Sequence, residues 1–261
     1  MTIQPFSEAI AKAELRRFYQ QTPLVHCMTN EVVQAFTANA LLAVGASPAM
    51  VVATAEVRAF AQLADVLLIN VGTLYPTRDE AMRYAVDAAM QAHKPWVLDP
   101  VAVGVLDYRS DFCQQLLSKR PTAIRGNASE IIALSGGKSA NHGVESGDSS
   151  TSAIQSASLL AQRTGAIVAV TGAVDYITDG RTIYAIERGH VLMTRVVGTG
   201  CVLSAWVAAL LAKADQPILA VASACLLFAM AGEQAVLASR GPGSFMPAFL
   251  DALHDMKKLV T

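Results

Sequence analysis

Apolar and polar positions along the chain follow two alternating patterns. Short runs rich in Val, Ile and Leu occupy 24–29, 49–52, 66–71, 96–99, 123–125 and 167–171, most of them bounded by Gly, Pro, Asn or Thr. Apolar runs of that length read as buried strands. Between most of them lie segments with helical spacing, at 30–44, 77–92 and 149–163. Strands alternating with helices predict an α/β fold with a mainly parallel central sheet covered by helices. The stretch 173–186 departs from this pattern, because "DYITDGRTIYAI" sets Asp179-Gly180 between two alternating runs and so predicts a small hairpin. From Gly200 onward the last third is almost entirely helical in pattern. The opening MTIQPFSEAIAKAELRRFYQ reads as an amphipathic helix, without the apolar core behind a basic end that marks a secretory signal.

No long linker and no internal repeat divides the 261 residues, which predicts a single domain over 1–261. The low-complexity stretch "SGGKSANHGVESGDSS", 135–150, is expected to be a surface connection. A hydrophobic content of 53% and a mean hydropathy of +0.39 raise the question of a membrane span. The longest apolar stretches, 201–212 and 218–232, fall short of the roughly 20 residues a bilayer requires. Their Ala, Ser and Gly content suits tight packing, so they are expected to be core helices, with no membrane partner.

Twenty basic and 21 acidic residues, with no basic run interleaved with aromatics, exclude nucleic acid as an expected partner. Cys27, Cys113, Cys201 and Cys225 form no CxxC pair and no zinc spacing. They are expected to be reduced thiols of a cytoplasmic protein, three of them filling core space.

Ligands of an open parallel sheet bind beyond the carboxyl ends of its strands. The residues collected there are 26–30, 70–73, Asp99-Pro100, 125–127 and Thr171-Gly172. Gly198-Thr199-Gly200-Cys201 opens an apolar helix, where unpaired amides and the helix dipole attract an anion, phosphate above all, although glycine before a helix is also ordinary loop chemistry. A helix starting near Asn127 sets Glu130 one turn in, close to Asp99, and two carboxylates there suit Mg²⁺. Capping at N3 by Glu130 and a turn ahead of Pro100 for Asp99 are the competing roles. Arg125 adds a fixed cation for phosphate oxygens.

The Asn127-x-x-Glu130 element and the glycine turn together resemble the ribokinase-like superfamily. Most of those kinases carry an aspartate after the second glycine, where this chain has Cys201. With "LVHCMTNEVVQAFTANALLAVGASPAM", "INVGTL", "LDPVAVG" and "VVGTGC", residues 15 to 255 resemble the hydroxyethylthiazole kinase family of thiamine salvage. The resemblance implies a ribokinase-like three-layer αβα fold and phosphorylation of the primary alcohol of 4-methyl-5-(2-hydroxyethyl)thiazole with ATP and Mg²⁺. It also implies a homotrimer with active sites between subunits. Position by position, it assigns Arg125, Thr171 and Asn127 to ATP, Met50, Gly198 and Asn30 to the thiazole, and Asp99 and Glu130 to the metal. Cys201, with Gly198 and Gly200, falls at the catalytic position.

A helix N-terminus lowers a thiol's pKa from about 8.5, so Cys201 is expected to be able to take the alcohol proton, against opposition from the triphosphate charge. Phosphoryl transfer passes through a loose transition state in which positioning dominates. Cys201 is therefore expected to contribute modestly, and the amides of 198–201 to form the anion hole. Three other readings compete: a sister kinase for a hydroxymethylpyrimidine, a nicotinamide-nucleotide-hydrate dehydratase on the same fold, and a thiol hydrolase pairing Cys201 with His26, His142 or His190.

Overall fold

The computed structural model describes residues 2–137, 141–142, 145–146 and 149–260. In chain order the first elements are β1 (Ile3–Pro5), α1 (Glu8–Tyr19), β2 (Leu24–Met28), α2 (Gln34–Ala43), β3 (Ser47–Ala49), α3 (Val57–Leu63), β4 (Val66–Asn70), α4 (Pro76–Gln91), β5 (Trp96–Asp99), α5 (Asp107–Leu117), β6 (Ala123–Asn127) and α6 (Ala128–Ser135). The short pair β7 (Asn141–His142) and β8 (Glu145–Ser146) follows, then α7 (Ile154–Thr164), β9 (Ile167–Thr171), β10 (Asp175–Thr178), β11 (Ile183–Ile186), α8 (Thr199–Leu211), α9 (Pro217–Leu237) and α10 (Pro242–Asp255). The connection expected at 135–150 falls partly on 138–140, 143–144 and 147–148, outside the described residues.

Nine strands form one sheet in the order β1-β11-β10-β9-β6-β5-β4-β2-β3, in which β10 alone runs antiparallel to its neighbours. Strands of a parallel sheet are buried on both faces, and every residue of β4 is buried. One face is covered by α1, α2, α8, α9 and α10, whose core includes Phe18, Trp206, Phe228 and Phe249. The other is covered by α3 to α7, around Met82, Phe112, Ile131 and Leu160. The result is the expected three-layer αβα arrangement, with β10 and β11 as the expected hairpin.

The apolar stretch in the C-terminal third becomes α9, 21 residues long and, by length and composition, apolar enough to cross a membrane. It extends past the apolar run in the sequence, but 72% of its apolar window is buried inside the fold, as in a core helix.

Four boundaries differ from the sequence pattern. The N-terminal segment begins with a strand, β1, parallel to β11, and the helix starts only at Glu8, where Ser7 Oγ accepts from the Ala9 amide at 3.2 Å. The strand expected at 49–52 lies at Ser47–Ala49, because β3 pairs with β2 only as far as His26 opposite Ala49. Its Pro48 is tolerated on an edge strand. The helix expected from residue 30 starts at Gln34, since the Asn30 side chain is committed elsewhere and residues 30–33 form a turn. Likewise α7 begins at Ile154 rather than 149, behind a turn in which Ser152 donates to the Ser149 carbonyl.

Candidate active site

The carboxyl ends of β2, β4, β5, β6 and β9 bring the residues collected from the sequence toward one rim, facing the head of α8. The exception is His26, which lies mid-strand in β2 and contacts Val51 and Phe60 instead. Gly198 precedes α8 with φ +88°, and a β-carbon there would lie 2.4 Å from Val33 Cγ1, so only glycine fits this turn. No side chain caps α8, and its first helical bond runs from the Val202 amide to the Gly198 carbonyl, which leaves the amides of Thr199, Gly200 and Cys201 without helical acceptors. Those amides and the dipole behind them suit an anion.

Arg125, on β6, stands directly against this turn. A β-carbon on Gly200 would lie 2.7 Å from Arg125 Nη1, so the glycine makes room for the guanidinium. Arg125 Nη2 donates to Thr171 Oγ1, while Arg125 Nε is buried without a partner. Arg125, Thr171 and the glycine turn are therefore one cluster.

On the other side of Cys201 runs a chain of amide side chains. Asn30 Nδ2 donates to Cys201 Sγ at 3.2 Å and to Asn70 Oδ1 at 3.0 Å, and Asn70 Nδ2 donates to Asp99 Oδ2 at 2.6 Å. The Gly72 amide also donates to Asn70 Oδ1, at 3.0 Å. Asn30, Asn70 and Asp99 are all buried. Thr29, one residue before Asn30, is fixed by Arg78 of α4, whose Nη2 donates to its carbonyl.

The two carboxylates are arranged differently. Asn127 and Glu130 form a capping box, with the Glu130 amide donating to Asn127 Oδ1 at 2.9 Å and Glu130 Oε2 accepting from the Asn127 amide at 2.8 Å. Glu130 Oε1 accepts from the Ala102 amide at 3.0 Å. The N3 capping role is thus filled, and each oxygen keeps a lone pair directed elsewhere. Burial first, and the charge of Asp99 second, push the Glu130 carboxyl up to about 7. Burial also raises Asp99, opposed by the charge of Arg125, the nearby Ser204 hydroxyl and the hydrogen bond from Asn70. Its Oδ1 is buried without a close partner. Two desolvated carboxylates, one with an orphaned oxygen, are a donor set that a hard cation fits. Among the described residues no group of three or more His, Cys, Asp or Glu side chains comes together as a metal cage.

The Cys201 thiol departs from expectation. Burial and the negative charge of Asp99 push it up to about 11, outweighing the nearby Asn70 amide, the charge of Arg125 and the hydrogen bond from Asn30. Burial of the thiol and the neighbouring Asp99 charge thus oppose the lowering expected from the helix end. The other three cysteines are buried, as expected. Neither His26 nor His190 pairs with Cys201: His26 Nε2 contacts the Val51 carbonyl at 2.8 Å, and His190 Nδ1 accepts from the Leu192 amide. The side chain of His142 lies outside the described residues.

Met50 follows β3 and packs on the core that contains α8. A cavity of about 270 Å³, lined by Val52 to Ala55, Tyr75, Thr77 and Arg78, lies beside this segment. A larger one of about 560 Å³ lies at the opposite end of the sheet, near Thr122, Ile167 and Pro217, away from every residue of the site. Sequence reasoning collected Asn70 as a rim residue without assigning it a role, and did not weigh Arg78 or Asp175. Asp175 is buried on β10 and accepts from the Gly172 amide at 3.0 Å, directly behind Thr171.

The architecture is that of the ribokinase-like kinases. The ADP complex of Bacillus subtilis pyridoxal kinase superposes with a TM-score of 0.63 over 81% of this chain and 91% of that one, and at 19% identity the likeness is one of fold alone. Within that class, residues 15–258 match the hydroxyethylthiazole kinase family, and the chain belongs to it. It is 56% identical over 260 residues to the hydroxyethylthiazole kinase of Shigella boydii, covering 100% of this chain and 99% of that protein. It is 58% identical over 256 residues to the same enzyme of Escherichia coli O17:K52:H18, covering 98% of each. The structure of the hydroxyethylthiazole kinase protein from Pyrococcus horikoshii OT3 superposes with a TM-score of 0.87 at 38% identity, over 95% of this chain and 94% of that one.

Proposed function

We propose that this enzyme transfers the γ-phosphoryl group of ATP to the primary hydroxyl of 4-methyl-5-(2-hydroxyethyl)thiazole, giving the thiazole phosphate and ADP for thiamine salvage. Family membership over nearly the whole chain sets aside the pyrimidine kinase, the dehydratase and the thiol hydrolase. The observation that supports the site assignment is that the first turn of α8 meets two polar groups: Arg125, bonded to Thr171, packs against Gly200, and the Asn30–Asn70–Asp99 chain reaches Cys201.

In this reading the amides of 199–201 and the Arg125 guanidinium receive the migrating phosphoryl oxygens, and Thr171, with Asn127 at the end of β6, lines the ATP side. Met50, Gly198 and Asn30 hold the thiazole alcohol so that its oxygen lies near Cys201. A thiol near 11 keeps its proton at neutral pH. Cys201 therefore orients the hydroxyl rather than deprotonating it, which suffices where bonding to the nucleophile lags behind departure of the leaving group. Asp99 and Glu130 would hold Mg²⁺, which when bound supplies neutralisation of phosphate charge.

Residues 1–261 act as one kinase domain in this reading. Val32 and Val197, beside Asn30 and Gly198, are each 66% exposed, an apolar rim around the site that a neighbouring subunit would cover in a homotrimer. ATP supply and a reduced Cys201 both suit the cytoplasm. The test is ADP release in a coupled assay with Mg²⁺ present, with and without the thiazole alcohol. Release that depends on the alcohol supports the reading, and release that ignores it overturns it.

A further inference from the structure

His26 is fully buried in the middle of β2, yet a buried imidazole is costly unless its polar atoms are used. Its neighbours on the strand, Val25 and Cys27, belong to the core around α8, whereas Met28 belongs to the opposite core. By strand alternation His26 faces away from α8. There its ring meets Phe60 of α3 edge-on, with centroids 5.0 Å apart. Nε2 lies 2.8 Å from the Val51 carbonyl, an acceptor only, so Nε2 carries the proton and Nδ1 is the bare nitrogen, buried without a partner.

The position of that carbonyl gives the bond its significance. The backbone ladder between β2 and β3 ends with His26 opposite Ala49. Beyond Ala49 the chain leaves regular structure, and the next attachment to β2 is the imidazole, which takes the Val51 carbonyl. Met50 sits between the last paired residue and this side-chain anchor. Met50 packs on the core of α8, and Val51 on the core of α3 and α4, so the segment keeps strand alternation past the end of the strand. A slip of one residue would exchange the two faces and turn Met50 away from the core of α8.

We infer that His26 is a positioning residue for the thiazole alcohol, acting through the Val51 carbonyl to hold Met50 on the face of the sheet that carries the head of α8. Burial lowers the pKa of the ring and keeps it neutral, which spares the segment an uncompensated charge. The inference rests on the assignment of Met50 to the thiazole site.

The test is steady-state kinetics on the full-length enzyme with ATP, Mg²⁺ and the thiazole alcohol. His26→Leu is expected to raise KM for the thiazole about tenfold, as for loss of one buried hydrogen bond, with kcat and KM for ATP within about threefold of wild type. His26→Gln, whose amide N–H reaches the same carbonyl, is expected to restore most of the loss. Should His26→Leu fail to fold, His26→Asn takes its place, because its amide is too short for Val51. Unchanged thiazole KM, or equal increases in KM for both substrates, would overturn the inference, as would failure of His26→Gln to recover any of the loss. Met50→Ala is measured alongside. If it leaves thiazole KM unchanged, the assignment of Met50 fails and takes the inference with it; if it raises KM while the His26 variants do not, only the role of His26 fails.

Discussion

Asn70 and Asp99 are direct register partners on the neighbouring parallel strands β4 and β5, and the Asn70 amide donates to the Asp99 carboxylate at 2.6 Å. Because Asn70 Oδ1 accepts from Asn30 and Gly72, its amide cannot flip without breaking three bonds. Replacing Asn70 with Ala removes the amide donor to the Asp99 carboxylate and one of the two acceptors of the Asn30 amide, both in a buried site. The expected result is a fall in kcat of roughly tenfold to a hundredfold, from about 1–3 kcal/mol of lost positioning. Rapid-quench measurement of the chemical step checks it.

Cys201 yields a prediction about pH. A thiol pushed up to about 11 does not ionise across the working range. The kcat profile between pH 6.5 and 9.5 is therefore expected to lack an ascending limb that disappears in Cys201→Ser, and that variant is expected to keep turnover within roughly thirtyfold of wild type, about 2 kcal/mol. A limb present in wild type and absent from the variant would make the thiolate the base.

Gly200 separates stability from binding. In the first turn of α8 alanine is the better helix former by about 1 kcal/mol, but its β-carbon would occupy space held by the Arg125 guanidinium. Gly200→Ala is expected to leave the melting temperature unchanged or slightly raised while KM for ATP rises about tenfold, the equivalent of one weakened charge-assisted hydrogen bond. Calorimetry and kinetics on the same preparation check both halves.

Asp175 predicts a pH-dependent stability difference. Burial raises its carboxyl to about 6 from an ordinary 3.8, opposed by the Gly172 amide and the charge of Arg125. Between those values the folded chain binds more protons than the unfolded one, so this group's contribution to stability is present at low pH and is lost as pH rises through 6. Asp175→Asn keeps an acceptor for the Gly172 amide and removes the titration. Relative to wild type, the variant is expected to gain on the order of 1–3 kcal/mol between pH 4 and pH 7. Denaturant midpoints at the two pH values measure it.

How much of this was legible beforehand depended on whether the determinant was local. The alternation of apolar runs and helical patterns carried the layered fold, and polar residues after apolar strands carried the rim, because both follow from one-dimensional periodicity. The start of α2 was misread because Asn30, a plausible first helical residue by pattern, is held by Asn70 and Cys201, partners 40 and 171 positions away. β1 was missed because a three-residue edge strand exists only through its pairing with β11. The Cys201 thiol shows the same limit: a helix end favours thiolate, and only the fold brings the opposing burial and the Asp99 charge to this group.

The central claim is that phosphate is received at the head of α8. A crystal structure with Mg²⁺, the thiazole alcohol and a non-hydrolysable ATP analogue tests it most directly. The expected density places the γ-phosphate within hydrogen-bonding distance of the Gly200 and Cys201 amides and of Arg125, with the cation against Asp99 and Glu130. A triphosphate bound elsewhere, for instance in the cavity of about 560 Å³ beside Pro217, with the α8 head in contact with water alone, would contradict it.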